Sequence, residues 1–315
     1  MKTIDKQQLI DGIASGDTRM LSKAITLAES TIEEQRNIAL DIIEHFGPQE
    51  NTFRIGITGT PGAGKSTLIE ALGTEILKDS KRKIAVLSVD PSSKKSHGSI
   101  LGDKTRMNTL SASPRAYIRP TASGNQMGGL AKNTRLAMLL CEAAGFNTIL
   151  IESVGVGQGE TEIAQLADLF VLVLNPGGGD ELQGIKRGIM EMAEVIVINK
   201  ADGDAEKQAN LTAKEYSMAL HLMPEYDSKW MPKVLTISAL KNKGIDVFWN
   251  KCLDYEQHVL VSNWKGTHRK KQMIYWTKKS IHDLLLARIK SYDVEIAKEL
   301  KEGVLPEKLA QKLLK

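Results

Sequence analysis

Cysteine is scarce in this sequence, with two residues, Cys141 and Cys252, among 315. Because they lie far apart, the sequence provides neither a disulfide framework nor a Cys-x-x-Cys metal site, and both thiols are expected to be buried. Apolar runs are short as well, and none approaches the roughly 20 residues of a membrane-spanning helix. The first residues, MKTIDKQQLI, lack the apolar stretch of a secretory signal. These absences predict a cytoplasmic protein with no membrane segment.

The composition is that of a globular chain, since 42% of the residues are hydrophobic and 25% are charged. This balance excludes disordered, collagen-like and low-complexity proteins. The net charge is +4, and the basic excess lies in residues 265–315, which contain 13 lysines and arginines against 6 acidic residues. These lysines alternate with Leu, Ile and Ala at helical spacing, which favours a solvated helix face over a nucleic-acid-binding tail.

Short apolar runs predict a parallel sheet. The first fifty residues have the apolar spacing of helices, and from Phe53 the pattern changes to apolar runs separated by helical stretches. Runs that are apolar on both faces are typical of buried parallel strands, and their alternation with helices predicts a doubly wound α/β sheet. Ligands of such sheets lie at the carboxyl ends of the strands. The six predicted strands are FRIGIT from Phe53, IAVLSV from Ile84, TILIE from Thr148, LFVLVL from Leu169, VIVIN from Val195 and VLTI from Val234.

After Asn263 the sequence predicts no further strand. Apolar spacing predicts one long helix from about Arg269 to Tyr292, followed by shorter helices. The apolar stripe of this helix is expected to pack on the sheet domain or on a second copy of the chain. The chain is thus divided into an N-terminal helical extension (1–47), a sheet domain (48–264) and a C-terminal helical arm (265–315). The stripe comprises Ile274, Ile281, Leu284, Leu285 and Ile289.

Residues 59–66 read GTPGAGKS, which fits the phosphate-binding pattern G-x-x-x-x-G-K-[ST]. The run directly follows the first predicted strand and directly precedes a predicted helix, as this pattern requires. Its glycines let backbone N–H groups face phosphate oxygens, while Lys65 reaches the terminal phosphates and the Ser66 hydroxyl can bind Mg²⁺. The predicted nucleotide contacts here are Gly59, Thr60, Pro61, Gly62, Ala63, Gly64, Lys65, Ser66 and Thr67.

Two later motifs indicate that the base is guanine. Asn199, Lys200 and Asp202 form N-K-x-D after the VIVI run, and a Ser-Ala-Leu triplet follows the last predicted strand. The Asp202 carboxylate can accept hydrogen bonds from the guanine N1–H and exocyclic amine, which adenine does not offer in that arrangement. A site built to pair such donors rejects a base that lacks them. The sequence therefore predicts GTP and GDP as ligands. The triplet is Ser238, Ala239 and Leu240.

Three acidic residues are candidates for the Mg²⁺ and switch apparatus. Glu152 ends the third predicted strand in Glu-Ser-Val-Gly, where most GTPases have Asp-x-x-Gly, and either carboxylate can hold Mg²⁺ through its water shell. Asp90 ends the second predicted strand, and Asp103 follows in a polar loop. An alternative role for Asp90 is to cap a turn before Pro91. Gln158 lies three positions beyond Gly155, so it is not assigned as the residue that positions water.

Several longer stretches resemble one known family. Glutamate in the third GTPase motif resembles the metallocentre and cofactor chaperones among the phosphate-loop GTPases. Within that group, DPSSKKSHGSILGDKTRM, ESVGVGQGETE and GGGDELQGIKRGIMEMA resemble the methylmalonyl-CoA mutase-associated GTPases, the MeaB/ArgK family. The resemblance spans nearly the whole chain, and the GDKTRM and DELQGIK stretches are far more specific than the phosphate loop.

The resemblance implies a homodimeric GTPase, joined through its C-terminal arm, that accompanies adenosylcobalamin-dependent methylmalonyl-CoA mutase or a related acyl-CoA mutase. It would gate cofactor loading and protect or reactivate the mutase. Lys65, Asp90, Asp103 and Glu152 would then be the catalytic residues, with Ser66 and the three carboxylates at Mg²⁺. Residues 180–188 match a further switch. His97 and residues 122–127 depart from the family pattern, which bears on the geometry of the first switch and not on the nucleotide site.

Three other functions fit the sequence less well. A nickel-delivery GTPase would carry Cys and His clusters, and the six histidines here have no paired spacing. A kinase linked to amino-acid transport would use ATP, whereas N-K-x-D predicts GTP. A nucleic-acid-binding tail would interleave stacking aromatics with its basic residues. Tyr275 and Trp276 of this tail are more simply explained as anchors of a helix in a core or a dimer seam.

Overall fold

The structure is a computed structural model that describes residues 5–90, 107–122, 129–153, 160–177, 187–301 and 304–313. Its centre is a seven-stranded sheet in the order β3-β2-β4-β1-β5-β6-β7, and every neighbouring pair is parallel. The predicted doubly wound α/β sheet is therefore confirmed. The strands are β1 (Phe53–Gly59), β2 (Ile84–Asp90), β3 (Ala116–Ala122), β4 (Thr148–Glu152), β5 (Leu169–Leu174), β6 (Val195–Ile198) and β7 (Lys233–Thr236).

Strand β3 was not among the six predicted strands. It forms one edge of the sheet, pairing with β2 alone among the described strands. Its sequence, AYIRPTA, contains Arg119 and Pro120 and so lacks a continuous apolar run. Proline is tolerated at a sheet edge, where one side of the strand needs no ladder partner. Counted in the structure, Glu152 ends the fourth strand, Asn199 follows the sixth and Ser238 lies just after the seventh.

Helices precede the sheet, alternate with its strands and follow it. The long C-terminal helix begins five residues earlier than the predicted Arg269 and ends at Ser291. The helices of the described residues are α1 (Lys6–Ala14), α2 (Thr18–Ala28), α3 (Glu33–Phe46), α4 (Lys65–Ile76), α5 (Asn108–Ser111), α6 (Gly129–Ala143), α7 (Glu160–Ala164), α8 (Arg187–Met190), α9 (Glu206–Leu220), α10 (Ile245–Val261), α11 (Trp264–Ser291), α12 (Asp293–Lys301) and α13 (Pro306–Leu313).

Both faces of the central strands are buried, as the apolar runs predicted. All residues of β1, β4, β5 and β6 are buried. Alternate strand residues on one face form a single apolar cluster with α4 and α10. Helix α6 contacts β2, β3 and β4, and α9 contacts β6 and β7. The strands are therefore held rigidly, and their carboxyl ends provide fixed positions for polar side chains.

The N-terminal helices are packed onto the sheet unit. Helices α2 and α3 contact α6, and the Ser22 and Tyr117 hydroxyl oxygens are 3.0 Å apart. Arg119 of β3 also forms an ion pair of 2.6 Å with Glu29. The chain divides into two compact units, Met1–Lys265 and Gly266–Lys315. The separation of residues 1–47 from 48–264 as distinct regions stays a prediction.

The second unit contains most of α11, together with α12 and α13. The five residues of the predicted apolar stripe are each about half exposed or more. None of the described helices is both long enough and apolar enough to cross a lipid bilayer.

Three of the ranges outside the description, 91–106, 154–159 and 178–186, are each followed by a short helix. Helix α5 packs on α4. Helix α7 and the turn after it lie so close to Gly56 of β1 that an added Cβ there would be 2.9 Å from Ile163 and 3.0 Å from Ala167. At the end of α8, the Tyr226 hydroxyl contacts the carbonyl oxygens of Met190 and Ala193, each at 3.1 Å.

Glu194, at the amino end of β6, predicts a pH dependence of stability. Its Oε2 accepts the Phe170 N–H at 2.7 Å, yet burial raises the pKa of this carboxyl group from 4.5 to about 8. The folded state thus holds the proton that the unfolded chain loses near pH 4.5. The free energy of unfolding should fall between about pH 5 and pH 8, by up to about 1.4 kcal/mol per pH unit from this group.

Glu194→Gln removes the titration and keeps an oxygen that can accept the Phe170 N–H. Urea unfolding of the wild type and the variant at pH 5 to 8 should give a difference that grows with pH in favour of the variant. Glu191→Gln, at an exposed carboxylate three residues earlier, is the control. A constant difference between the Glu194→Gln variant and the wild type across this range would contradict the assignment.

Candidate functional site

The phosphate-loop sequence connects the centre of the sheet to a helix. Residues 60–64 lie between β1 and α4, at the carboxyl end of a strand flanked by β4 and β5. Helix α4 begins at Lys65, with Gly64 as its N-cap residue. The first N–H groups of a helix have no partner within the helix, and together they attract anions. The loop therefore has the local structure that phosphate binding requires.

Two glycines of the loop have no room for a side chain. A Cβ on Gly59 would lie 2.0 Å from the carbonyl oxygen of Val173 in the neighbouring strand. Gly64 has a φ of +84°, and a Cβ there would lie 2.6 Å from Nδ2 of Asn199. The motif's first and last glycines are thus required by close contacts with β5 and with the guanine motif.

Lys65 is buried within this loop. Its side-chain Nζ donates hydrogen bonds to the carbonyl oxygens of Gly59 at 3.0 Å and Thr60 at 3.2 Å. The hydroxyl oxygen of Thr60 is also buried, and it has no hydrogen-bond partner among the residues that the structure describes. A buried hydroxyl without a partner is costly, so this atom fits a loop that receives a polar ligand.

Ser66 and Glu152 are brought together across the sheet. The Ser66 hydroxyl donates to Oε1 of Glu152 at 2.7 Å, and the Ser88 hydroxyl lies 3.3 Å from Oε2. Glu152 is buried, with 8% of its surface exposed. A hydroxyl and a carboxylate are oxygen donors of the kind that Mg²⁺ prefers. These two residues therefore fit a magnesium site beside the phosphate loop.

The remaining predicted metal and switch residues lie mainly outside the described ranges. Asp90 is the last residue of β2, and its side chain is not among those described. Asp103, His97, Gly155, Gln158 and the switch at 180–186 lie outside the description altogether. Ser88, which was not among the predicted site residues, contacts Glu152. The sequence feature that could have identified Ser88 is a hydroxyl group within the apolar run of β2, two residues before Asp90.

Asn199 connects the phosphate loop to the guanine motif. Its Nδ2 donates to the carbonyl oxygen of Ala63 at 2.8 Å, and its Oδ1 accepts the N–H of Ala239 at 3.0 Å. The residue is almost completely buried. Since both ends of the amide are used within the protein, Asn199 fixes the distance between two loops that are far apart in sequence.

Asp202 is oriented by the last motif. The Oδ1 atom of Asp202 accepts a hydrogen bond from the Ser238 hydroxyl at 2.6 Å. The Ser238 hydroxyl oxygen in turn accepts the N–H of Lys241 at 3.2 Å. The Oδ2 atom of Asp202 takes no hydrogen bond from any described residue. Lys200 has a left-handed backbone with φ of 60°, and both Lys200 and Leu240 are exposed. The residues predicted to read guanine therefore meet just beyond the carboxyl ends of β6 and β7, next to the phosphate-loop sequence.

Comparison with known proteins identifies the family. A family model described as "Methylmalonyl Co-A mutase-associated GTPase MeaB" matches residues 21–293. The chain belongs to the MeaB family of GTPases. The resemblance inferred from the sequence motifs is therefore confirmed, and the MeaB match extends from the N-terminal helices into the C-terminal ones.

Relatives within and near the MeaB family cover most of the chain. GTPase ArgK of Escherichia coli is 42% identical over 275 residues, which are 87% of this chain and 83% of that protein. The mitochondrial methylmalonic aciduria type A homolog of Mus musculus is 41% identical over 304 residues, covering 91% of this chain and 73% of that protein. A crystal structure of an LAO/AO transport system kinase is 33% identical, covers 99% of this chain and 98% of its own, and has a TM-score of 0.76.

The contact between Gly64 and Asn199 can be tested with a matched pair of variants. Gly64→Ala and Gly145→Ala both place a Cβ on a backbone with φ near +80°, but only at Gly64 would the Cβ meet a neighbour. Both variants should lose about 1 kcal/mol of stability from backbone strain. Gly64→Ala should in addition displace Asn199 and lower GDP affinity by about tenfold or more.

Thermal unfolding and titration with a fluorescent GDP analogue measure the two effects separately. Equal GDP affinity for the Gly64→Ala and Gly145→Ala variants would show that the close approach of Asn199 has no role in nucleotide binding.

Proposed function

We propose that this MeaB-family protein binds and hydrolyses GTP with Mg²⁺ and acts as a chaperone of adenosylcobalamin-dependent methylmalonyl-CoA mutase. The observation that supports the nucleotide part is the double hydrogen bond of Asn199, which joins Ala63 of the phosphate-loop sequence to Ala239 after β7. The mutase part is supported by the family's description and by relatives named for methylmalonic aciduria type A.

In this proposal Asp202 reads the base. Its carboxylate accepts hydrogen bonds from the guanine N1–H and exocyclic amine, while the Ser238 hydroxyl holds the carboxylate in place. The backbone N–H groups of residues 59–67 bind the phosphates, and Lys65 moves its hydrogen bonds from loop carbonyls to phosphate oxygens. Charge-assisted hydrogen bonds of this kind are the stronger ones in proteins.

Magnesium would be held by Ser66 and by the carboxylates of Glu152, Asp90 and Asp103. When bound, it neutralises charge on the β- and γ-phosphates. During hydrolysis a water oxygen bonds to the γ-phosphorus as the bond from phosphorus to the β–γ bridging oxygen breaks, and GDP and phosphate leave. Lys65 stabilises the negative charge on the phosphate oxygens throughout. We expect slow turnover without a partner, because no described side chain is an evident water-positioning residue.

In this proposal GTP hydrolysis determines when the partner protein changes its state. The γ-phosphate and Mg²⁺ of a GTPase hold loops that relax on hydrolysis, so two nucleotide states offer two binding surfaces. The mutase, or a related acyl-CoA mutase, would respond by accepting cofactor or by being protected or reactivated.

We also propose that the protein is a homodimer joined through its C-terminal arm, residues 265–315. The exposed apolar residues of α11 support this, because a soluble chain seldom leaves such a stripe in water. Light scattering of the preparation used for the turnover assay gives its mass.

A kinase linked to transport is the second candidate, because a protein of that description shares the fold at 33% identity. The guanine motif favours GTP and therefore opposes an ATP-dependent kinase. A nickel chaperone has less support, since the described residues contain no group of three or more His, Cys, Asp or Glu side chains that could hold a metal ion.

Replacing Asp202 tests the base assignment. Asp202→Asn exchanges an acceptor for a donor, so GTP affinity should fall by about a hundredfold and xanthosine triphosphate should become the better ligand. Asp204→Asn, at an exposed residue two positions on, should leave the preference unchanged. Competition titrations with both triphosphates measure it. An unaltered preference for GTP in Asp202→Asn would remove Asp202 from base recognition.

Turnover in the presence of a mutase tests the chaperone role. The protein alone should hydrolyse GTP on the order of 10⁻² per second or more slowly, and methylmalonyl-CoA mutase should accelerate this by about tenfold or more. ATP should not be turned over in either case. Slow GTP hydrolysis that the mutase leaves unchanged would keep the GTPase and reject this mutase as its partner. Phosphorylation of an added transport protein with ATP would favour the kinase.

A further inference from the structure

We infer that the buried hydroxyls of Thr58 and Ser153 form a positioning pair, which holds the Glu152 carboxylate and the phosphate loop at the relative position that Mg²⁺ binding needs. The inference rests on the proposed function and concerns two residues outside the predicted nucleotide and metal contacts. The Ser153 hydroxyl donates a hydrogen bond to Oγ1 of Thr58 at 2.8 Å. Both residues are buried, so this contact is shielded from water.

The hydroxyl pair lies where the ladder between β1 and β4 ends. The last paired residues of these two strands are Ile57 and Glu152. The N–H of Ser153 then donates to the carbonyl oxygen of Ile57 at 2.9 Å, and the hydroxyl contact joins the next residue of each segment. A side-chain hydrogen bond thus continues the connection one residue beyond the last pair of the ladder.

The hydroxyl pair and the Glu152 carboxylate lie on opposite faces of the sheet. Ile57 faces the apolar cluster that contains α4 and α10. Its register partner Glu152 faces the same way and meets Ser66 on α4. Side chains alternate along a strand, so Thr58 faces the other side, where Ser153 meets it. Contacts on both faces of the sheet therefore fix the end of β4.

Each member of the pair adjoins a residue of the nucleotide site. Thr58 directly precedes Gly59, the first residue of the phosphate loop, and Ser153 directly follows Glu152. The Ser66 hydroxyl donates to Glu152 at 2.7 Å, and it can keep this contact while its oxygen binds Mg²⁺, because a hydroxyl both donates and accepts. Since Mg²⁺ requires near-ideal octahedral geometry, a small shift of Glu152 relative to the phosphate loop should weaken the metal site.

The test compares Thr58→Val, Ser153→Ala and the double variant with wild type. Valine is close to threonine in shape and has no hydroxyl, whereas Thr58→Ser keeps one. Thr148→Val is the matched control, because it removes a buried hydroxyl at the other end of β4, where Nη1 of Arg82 lies 3.3 Å from Oγ1.

Three quantities are measured for each variant. They are GDP affinity in EDTA, the Mg²⁺ concentration that half-maximally strengthens binding of the non-hydrolysable GTP analogue guanylyl imidodiphosphate, and the midpoint of thermal unfolding. Thr58→Val and Ser153→Ala should each raise the Mg²⁺ requirement by about fivefold, with GDP affinity in EDTA within about twofold of wild type. Thr58→Ser should leave the Mg²⁺ requirement within about twofold of wild type. Thr148→Val should lower thermal stability without changing the Mg²⁺ requirement.

The double variant separates positioning from stability. A single variant leaves one buried hydroxyl without its partner, whereas removal of both hydroxyls avoids that cost, so thermal stability should return toward the wild-type value. The Mg²⁺ requirement should stay raised, because the connection beyond the ladder is still missing. The double variant also keeps the inference testable if a single variant does not fold.

Two results would overturn the inference while leaving the GTPase intact. One is a wild-type Mg²⁺ requirement in the single and double variants. The other is a Mg²⁺ requirement that recovers together with thermal stability in the double variant, since that pattern marks a purely structural contact. A wild-type chain that binds no guanine nucleotide would overturn both this inference and the proposed function.

Discussion

The buried amide of Asn199 is the contact on which the site depends. It joins the loop after β1 to the loop after β7, and Gly64 lies against it so closely that no side chain fits between them. Two hydrogen bonds of this one side chain therefore help to set the relative position of the two loops. Their burial makes them costly to break, because each broken bond leaves a polar group without a partner.

The parallel sheet makes this arrangement possible. Its strands are buried on both faces, so their carboxyl ends are fixed relative to one another, and polar residues placed there meet although they are distant in sequence. Glu152 reaches Ser66 and Ser88 for this reason, and Asp202 reaches Ser238. The sheet thus fixes the relative positions of these residues, and the motifs provide the polar groups placed there.

Much of the fold and the composition of the site could be predicted from the sequence. The apolar runs located six strands, because buried parallel strands are apolar on both faces. Strand β3 was missed, since an edge strand with Arg119 and Pro120 has no such run. The phosphate loop and N-K-x-D were recognised by spacing, whereas the use of both ends of Asn199 within the protein depends on three-dimensional contacts. The contribution of Ser88 could not be predicted either, because one hydroxyl in an apolar strand does not indicate what it will face.

The anchoring of the three short helices has a consequence for how this protein can diverge. Helix α5 is attached to α4, α7 to β1 through the close approach at Gly56, and α8 to Tyr226 beyond α9. The three attachments share no residue. A substitution at one attachment can shift one of these short helices while the other two keep their positions. Relatives with identical nucleotide motifs can therefore differ in how these helices are held, through changes that lie wholly outside those motifs.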